Sequence, residues 1–308
     1  YVSILAMLSA SGLRMCAAND SRGAMMKVIE EASWLRHELA AFRHERIALV
    51  PTMGCLHEGH ISLIHQAKKL ADVVVVSIYV NPLQFGANED LAHYPRPFAE
   101  DARRCQAEGV NFLFHPTKLY DDAGPAVTLR VAALADGLCG AHRSGHFDGV
   151  ATVVNLLLNI VQPDLAVFGE KDWQQLTIIR RMVHDLCLPV DVVAAPIARE
   201  ADGLAMSSRN RYLSTTQRQQ ATVLNQVLCQ MHAQCQHGEQ QTGVLIDAGR
   251  CLLHQHGLDA EYLEVRDENT LQAITTIGQQ PARAFIAARL GNTRLIDTTI
   301  LRESAPCN

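Results

Sequence analysis

The sequence predicts an open, doubly wound α/β parallel sheet followed by a second, smaller α+β domain, and three observations carry that reading. The runs Ile47-Ala48-Leu49-Val50 and Val73-Val74-Val75-Val76-Ser77-Ile78-Tyr79-Val80 are almost wholly apolar, as strands covered on both faces of a parallel sheet are. Segments between such runs repeat their apolar residues at helical spacing, for example Ile61, Leu63, Ile64, Ala67 and Leu70. The alternation of strand and helix stops near Pro196, and a helix-rich region follows.

Taken in order, Met25-Met26-Lys27-Val28-Ile29 reads as a natural start, which leaves residues 1–24 as an extension expected to be disordered. An amphipathic helix over 32–43 leads into the strand at Ile47, and a helix over 61–71 separates it from the strand at 73–80. A helix over 97–108 and a strand at 110–114 follow, then a loop over 116–127 and a short helix at 131–138. A mostly buried helix over 149–161, a strand at 165–168, a helix over 172–186 and a strand at 190–194 complete the alternation. Beyond it come helices over 216–236 and 242–256 and two strand candidates, 260–265 and 284–288. The organisation expected is an extension, 1–24, a sheet domain, 25–197, and a smaller domain, 198–308, joined through 197–210.

Composition narrows the class. With 308 residues, 48% hydrophobic and 19% charged, the chain can bury substantial cores and is ordinary for a globular protein. A formal charge of −5 argues against an extended nucleic-acid surface. Nine cysteines without C-x-x-C spacing suggest reduced thiols and no zinc site, hence a cytoplasmic protein. The mildly apolar first ten residues have no basic segment before them, unlike a secretory signal, and no stretch is long and apolar enough for a membrane span.

The chemistry concentrates where the strands end. After the first strand comes Pro51-Thr52-Met53-Gly54-Cys55-Leu56-His57-Glu58-Gly59-His60, a glycine-bearing turn into a helix. Such a turn can present backbone N–H groups to an anion, glycine lets main chain approach closely, and either histidine can donate to a phosphate oxygen. The second strand ends in Asn81-Pro82-Leu83-Gln84-Phe85, the fourth in Gly169-Glu170-Lys171-Asp172-Trp173-Gln174-Gln175. Each stretch alone reads equally well as a capped helix start, since Asn81 and Asp172 are good N-caps. Three polar ends on one edge of a parallel sheet, where open α/β sheets bind ligands, point to a site.

His57-Glu58-Gly59-His60 resembles the "HIGH" signature of nucleotidyltransferases. Together with Val80 to Phe85, Tyr94-Pro95-Arg96, His146-Phe147-Asp148-Gly149-Val150-Ala151-Thr152, Gly169 to Gln175 and Asp202-Gly203-Leu204-Ala205-Met206-Ser207-Ser208-Arg209-Asn210, it resembles the pantothenate synthetase (pantoate–β-alanine ligase) family of the cytidylyltransferase-like superfamily. The resemblance runs from about Met26 to Ile296. It implies an AMP-forming ligase that makes pantoyl adenylate from ATP and pantoate and passes the acyl group to β-alanine.

The resemblance also implies roles. Met53, Gly54, Cys55, Leu56, His57, Glu58, Gly59 and His60 would hold ATP, with His60 as the family's proton donor and His57 on the phosphates. Gly169, Glu170, Lys171, Asp172 and Ala198 would complete the nucleotide site, with Lys171 on the phosphate oxygens. Met206, Ser207, Ser208 and Arg209 match the "KMSKS" loop that closes on ATP. Gln84 and Gln175 would hold pantoate, and Gln84 with Asn81 would meet β-alanine. Mg²⁺ is implied as the partner of the phosphates, with no protein ligand assigned; Glu100 and Asp101 are candidate second contacts for it but read equally well as an exposed helix face. A homodimer is implied too. Ser144 stands where the family has proline in Arg-Pro-x-His-Phe, which leaves Arg143 and His146 in place. The alternatives are a nucleotidyltransferase acting on another small carboxylic acid and a nucleotide-binding module without catalysis; the paired amides and the retained His57, His60, Lys171 and Arg209 weigh against them.

Overall fold

The computed structural model describes residues 25–86, 89–121 and 123–303; the extension 1–24 lies outside the described residues. Six parallel strands form the first sheet: β1 (Lys27–Ile29), β2 (Ile47–Thr52), β3 (Val73–Ile78), β4 (Phe112–Phe114), β5 (Leu165–Gly169) and β6 (Asp191–Ala195). Their order across the sheet is β1-β4-β3-β2-β5-β6, so chain direction across the sheet reverses beside β2. Helices α1 (Ala32–Leu39), α2 (Glu58–Leu70), α3 (Phe98–Ala107), α4 (Leu138–His142), α5 (His146–Val161) and α6 (Trp173–Asp185) cover it. The switch between β2 and its neighbours is where a parallel sheet opens a crevice beyond its strand ends.

The alternation of side chains explains why the central strands are apolar throughout. Ile47, Leu49, Val73 and Val75 enter a core with α1, α5 and α6 on one face, and Ala48, Val50, Val74 and Val76 enter a second core with α2 on the other. Both faces are covered, so every position of β2 and β3 except Pro51 is buried.

The second region carries α7 (Thr215–Gln236) and α8 (Thr242–Gln255) on an antiparallel sheet, β7 (Ala260–Asp267), β8 (Ala282–Leu290) and β9 (Thr293–Arg302). Helix α7 opens on a capping box: Ser214 Oγ accepts from Gln217 N–H, and the Gln217 side chain accepts from Ser214 N–H. The region has a core of its own, including Ala221, Leu224, Leu228, Leu263 and Ile286, and it also packs against the first sheet. Tyr262, Phe285 and Ala287 join the core of the first sheet, and the Arg283 guanidinium lies 3.6 Å from the centroid of the Trp173 ring on α6. Arg199 meets the buried carboxylate of Asp297 with two bonds, 2.7 and 3.0 Å.

Four expectations change. β1 is a strand of three residues, with Ile29 buried, where the sequence suggested only a start to the chain. β9 is a third strand in the second sheet, continuing β8 through the short turn at Gly291-Asn292. The helix expected at 131–138 is a single 3₁₀ turn, Ala133–Ala135, followed by α4. Helix α5 begins at His146, three residues earlier than expected, because Gly145 takes a positive φ of 74° and breaks the chain direction there. Among the described residues, no helix is long and apolar enough to cross a membrane.

Candidate active site

The turn after β2 positions two histidines by an unusual capping box. His57 is the N-cap of α2; its Nδ1 accepts from Gly59 N–H at 3.1 Å, and Nδ1 of His60 accepts from His57 N–H at 3.3 Å. An accepting Nδ1 carries no proton, so each neutral ring is protonated on Nε2. Burial, with the charges of Lys171, Arg211 and Arg104, pushes His57 down to about 4. Burial, His57 and Lys171 push His60 well below 6.5. Both rings are therefore neutral at pH 7 in the ligand-free protein and offer Nε2–H as hydrogen-bond donors.

Three backbone N–H groups of the same turn are taken up within the protein. Cys55 and Leu56 donate their N–H groups to the two oxygens of Asp101, each at 2.7 Å, and Gly54 N–H goes to Thr52 Oγ1 at 3.1 Å. Asp101 is 1% exposed and belongs to this turn, which corrects its reading as part of an exposed helix face. Gly54, Cys55 and Leu56 are likewise buried behind the cavity, and Glu58 turns outward to Arg104 at 3.1 Å. Glu170 faces Arg283, 3.5 Å away.

A cavity of about 250 Å³ opens beyond the ends of β2, β3 and β5. Met53, His57, Gly59, His60, Gln84, Gly169, Lys171, Asp172, Gln175, Ala198, Met206, Ser207, Ser208 and Arg209 all line it. A larger cleft of about 920 Å³, against β8, β9 and α4, shares Lys171, Gln175, Arg143, His146 and Arg209 with it. The Lys171 ammonium stands 3.6 Å from the Asp172 carboxylate at the start of α6, a cation on a flexible stem at a helix N-terminus. Ala198 gives its carbonyl to Met206 N–H at 3.0 Å.

Asn81 sits one layer back. It is 1% exposed; its Oδ1 accepts from Leu83 N–H, and its Nδ2 donates to Gly149 O at 3.0 Å and to Gln84 Oε1 at 3.1 Å. Asn81 thus orients the Gln84 amide, whose Nε2 points to Met53 Sδ at 2.9 Å. The carbonyl of Gln84 is held in turn by His146 Nδ1 at 2.9 Å and Arg143 Nη2 at 3.3 Å. The second region closes the mouth: Ser208 Oγ lies 3.4 Å from the Tyr94 hydroxyl, and Arg209 reaches Asp90.

A sequence profile of the Pantoate-beta-alanine ligase family matches residues 27–300. The chain belongs to the pantoate–β-alanine ligase family. Pantothenate synthetase of Pseudomonas putida W619 is 49% identical over 278 residues, covering 88% of this chain and 96% of that protein. The enzyme of Chromohalobacter salexigens is 48% identical over 277 residues, covering 88% and 97%. Among solved structures, pantothenate synthetase of Thermus thermophilus superposes with a TM-score of 0.85 at 40% identity, covering 90% of this chain and 100% of that one. A pantoate–β-alanine ligase of Francisella tularensis, solved in complex with β-γ ATP and β-alanine, gives 0.76 at 31% identity, covering 90% and 98%.

Relative to the residues expected for a pantoate–β-alanine ligase, the structure adds Asp101, Glu89, Asp90, Arg143, His146 and Tyr94. Arg143 and His146 stood in a recognised motif without an assigned task. The acids gave no local signal, because their partners lie 45 to 119 positions away.

Proposed function

We propose that this chain condenses pantoate with β-alanine to give pantothenate, consuming ATP and releasing AMP and pyrophosphate. The observation that carries the proposal is the convergence, in one cavity of a chain of this family, of two neutral Nε2–H donors, a lysine and two glutamines. Donors for phosphate beside amides that can hold a small acid suit the making of an adenylate on that acid.

In the first step the pantoate carboxylate, already ionised at neutral pH, attacks the α-phosphorus; the P–O bond to pyrophosphate breaks as the acyl–O–P bond forms. His57, His60 and Lys171, which line the cavity, would meet the charge that develops on the departing phosphates. Gln84 and Gln175 hold the pantoyl group, and Asn81 acts through Gln84 rather than on β-alanine directly. In the second step the free amine of β-alanine attacks the acyl carbon, the C–N bond forms as the C–O bond to AMP breaks, and the nitrogen gives its proton to water. Position supplies most of this chemistry, since the two reactants become neighbours in one cavity.

Mg²⁺ fits as a companion of the ATP phosphates: Asp172 presents an exposed carboxylate oxygen beside Lys171 and would hold it. The ion would neutralise charge on the β- and γ-phosphates. Residues 25–197 form the substrate-binding part of this proposal, and 198–308 carry the Met206–Arg209 lid. A homodimer and a cytoplasmic setting belong to it as well; light scattering tests the first. The test of function is AMP release with purified protein, ATP and Mg²⁺. It should require pantoate and β-alanine together, whereas pyrophosphate release should require pantoate alone. AMP release without β-alanine, or with pantoate replaceable by unrelated acids, overturns the assignment.

A further inference from the structure

Two adjacent carboxylates reach from one segment to two arginines at the mouth of the cavity. Glu89 receives Arg143 Nε at 2.7 Å and Nη2 at 2.6 Å. Asp90 receives Arg209 Nη2 at 3.0 Å and Nε at 3.3 Å. The pairs differ in how firmly they are built. Arg143 is 15% exposed and also donates to the Gln84 carbonyl and to His146, so three residues fix its place. Arg209 and Asp90 are 27% and 29% exposed, and their contacts are longer. Arg209 also lines both cavities with Lys171, on the loop that lies over the site.

A guanidinium at that position meets two anions in turn. A polyphosphate in the cavity must draw Arg209 from Asp90, and the cost of breaking that pair reduces the observed affinity for the polyphosphate. We propose that Asp90 is an exchangeable counter-ion for Arg209, a positioning residue that holds the guanidinium over the cavity before a polyphosphate enters and takes it back when pyrophosphate leaves. The inference rests on the reading that the cavity takes ATP. It predicts an effect opposite in sign to that of a binding residue: removing the Asp90 charge tightens polyphosphate binding.

The experiment is calorimetric titration of the full chain with inorganic pyrophosphate in the presence of Mg²⁺, with pyrophosphate product inhibition as a second readout. Asp90→Asn should bind pyrophosphate roughly two- to fivefold more tightly, the span expected for releasing one partly exposed ion pair. It should also show stronger product inhibition, while Asp90→Glu stays near the parent. In an Arg209→Ala background the Asp90→Asn change should bring no tightening, because the pair is already gone. Asp90→Ser serves the same purpose if the asparagine variant folds poorly by thermal melt. Weaker or unchanged pyrophosphate binding in Asp90→Asn, or equal tightening without Arg209, overturns the proposal and leaves the functional reading standing. A parent protein that binds neither pyrophosphate nor ATP overturns both.

Discussion

The imidazoles of His57 and His60 lie 4.1 Å apart and cap the same helix end, each accepting a backbone N–H through Nδ1. Gly59 between them is part of this device. A Cβ there would lie 2.8 Å from His57 Cε1 and 2.9 Å from its Nδ1, so Gly59→Ala pushes the ring out of its capping position. The variant should remain folded but lose adenylate formation roughly a hundredfold, as when one preorganised donor is removed. Pantoate-dependent ATP–pyrophosphate exchange checks it; exchange within a factor of about three of the parent would show that the ring geometry is not used.

The neutral histidines also set a pH dependence of stability. His57 and His146 are both held down to about 4, His146 by burial first and then by Arg143. The unfolded chain binds protons near 6.5, so between about 6.5 and 4 it carries more protons than the folded one, and stability falls as pH falls. Denaturant midpoints should drop steadily from pH 7 to pH 5. His146→Gln should flatten that decline, and an unchanged slope would show that His146 titrates normally.

Gly149 fixes the distance between α5 and the turn that bears Gln84. A Cβ at this position would stand 2.4 Å from the Leu83 carbonyl oxygen and 2.7 Å from Gln84 N, both backbone atoms. Gly149→Ala must therefore shift the 82–84 turn and break the bond from Asn81 to the Gly149 carbonyl. We expect a loss of about 1–3 kcal/mol in stability and a KM for pantoate raised roughly tenfold or more, with the KM for ATP little changed. Equal increases in both constants would mean that the whole cavity has moved.

How much of this was legible follows from the range of the interactions. The strands β2 and β3 announce themselves because both faces are buried, so the local pattern and the tertiary outcome agree. β1 is too short for periodicity, and β9 mixes buried Leu295, Asp297 and Thr298 on a strand whose polar groups are satisfied by Arg199 and by the Ala284 carbonyl. In the site, types were legible and orientations were not. The sequence places His57, Lys171 and Gln84 at strand ends, but nothing near Cys55 says that Asp101 will take its N–H. Nor does anything near Asn81 say that its amide will be used up on Gly149 and Gln84.

Lys171 and Gln84 should divide the two half-reactions between them. The Lys171 ammonium stands at the start of α6, 3.6 Å from Asp172, where a polyphosphate entering the cavity would meet it, while Gln84 is anchored by Asn81 beyond the end of β3. Negative charge shifts onto pyrophosphate only during adenylation, so the lysine has most to stabilise then. Lys171→Ala should lower adenylate formation roughly a hundredfold or more, in line with the loss of one preorganised charged donor. Supplied with synthetic pantoyl adenylate, the variant should recover much of its rate with β-alanine. Gln84→Ala should impair both steps, because the pantoyl group must be held in each. Single-turnover quench-flow on the separate half-reactions decides the matter: a Lys171→Ala protein equally crippled from ATP and from preformed adenylate would place the lysine on the acyl transfer instead of on the leaving phosphates.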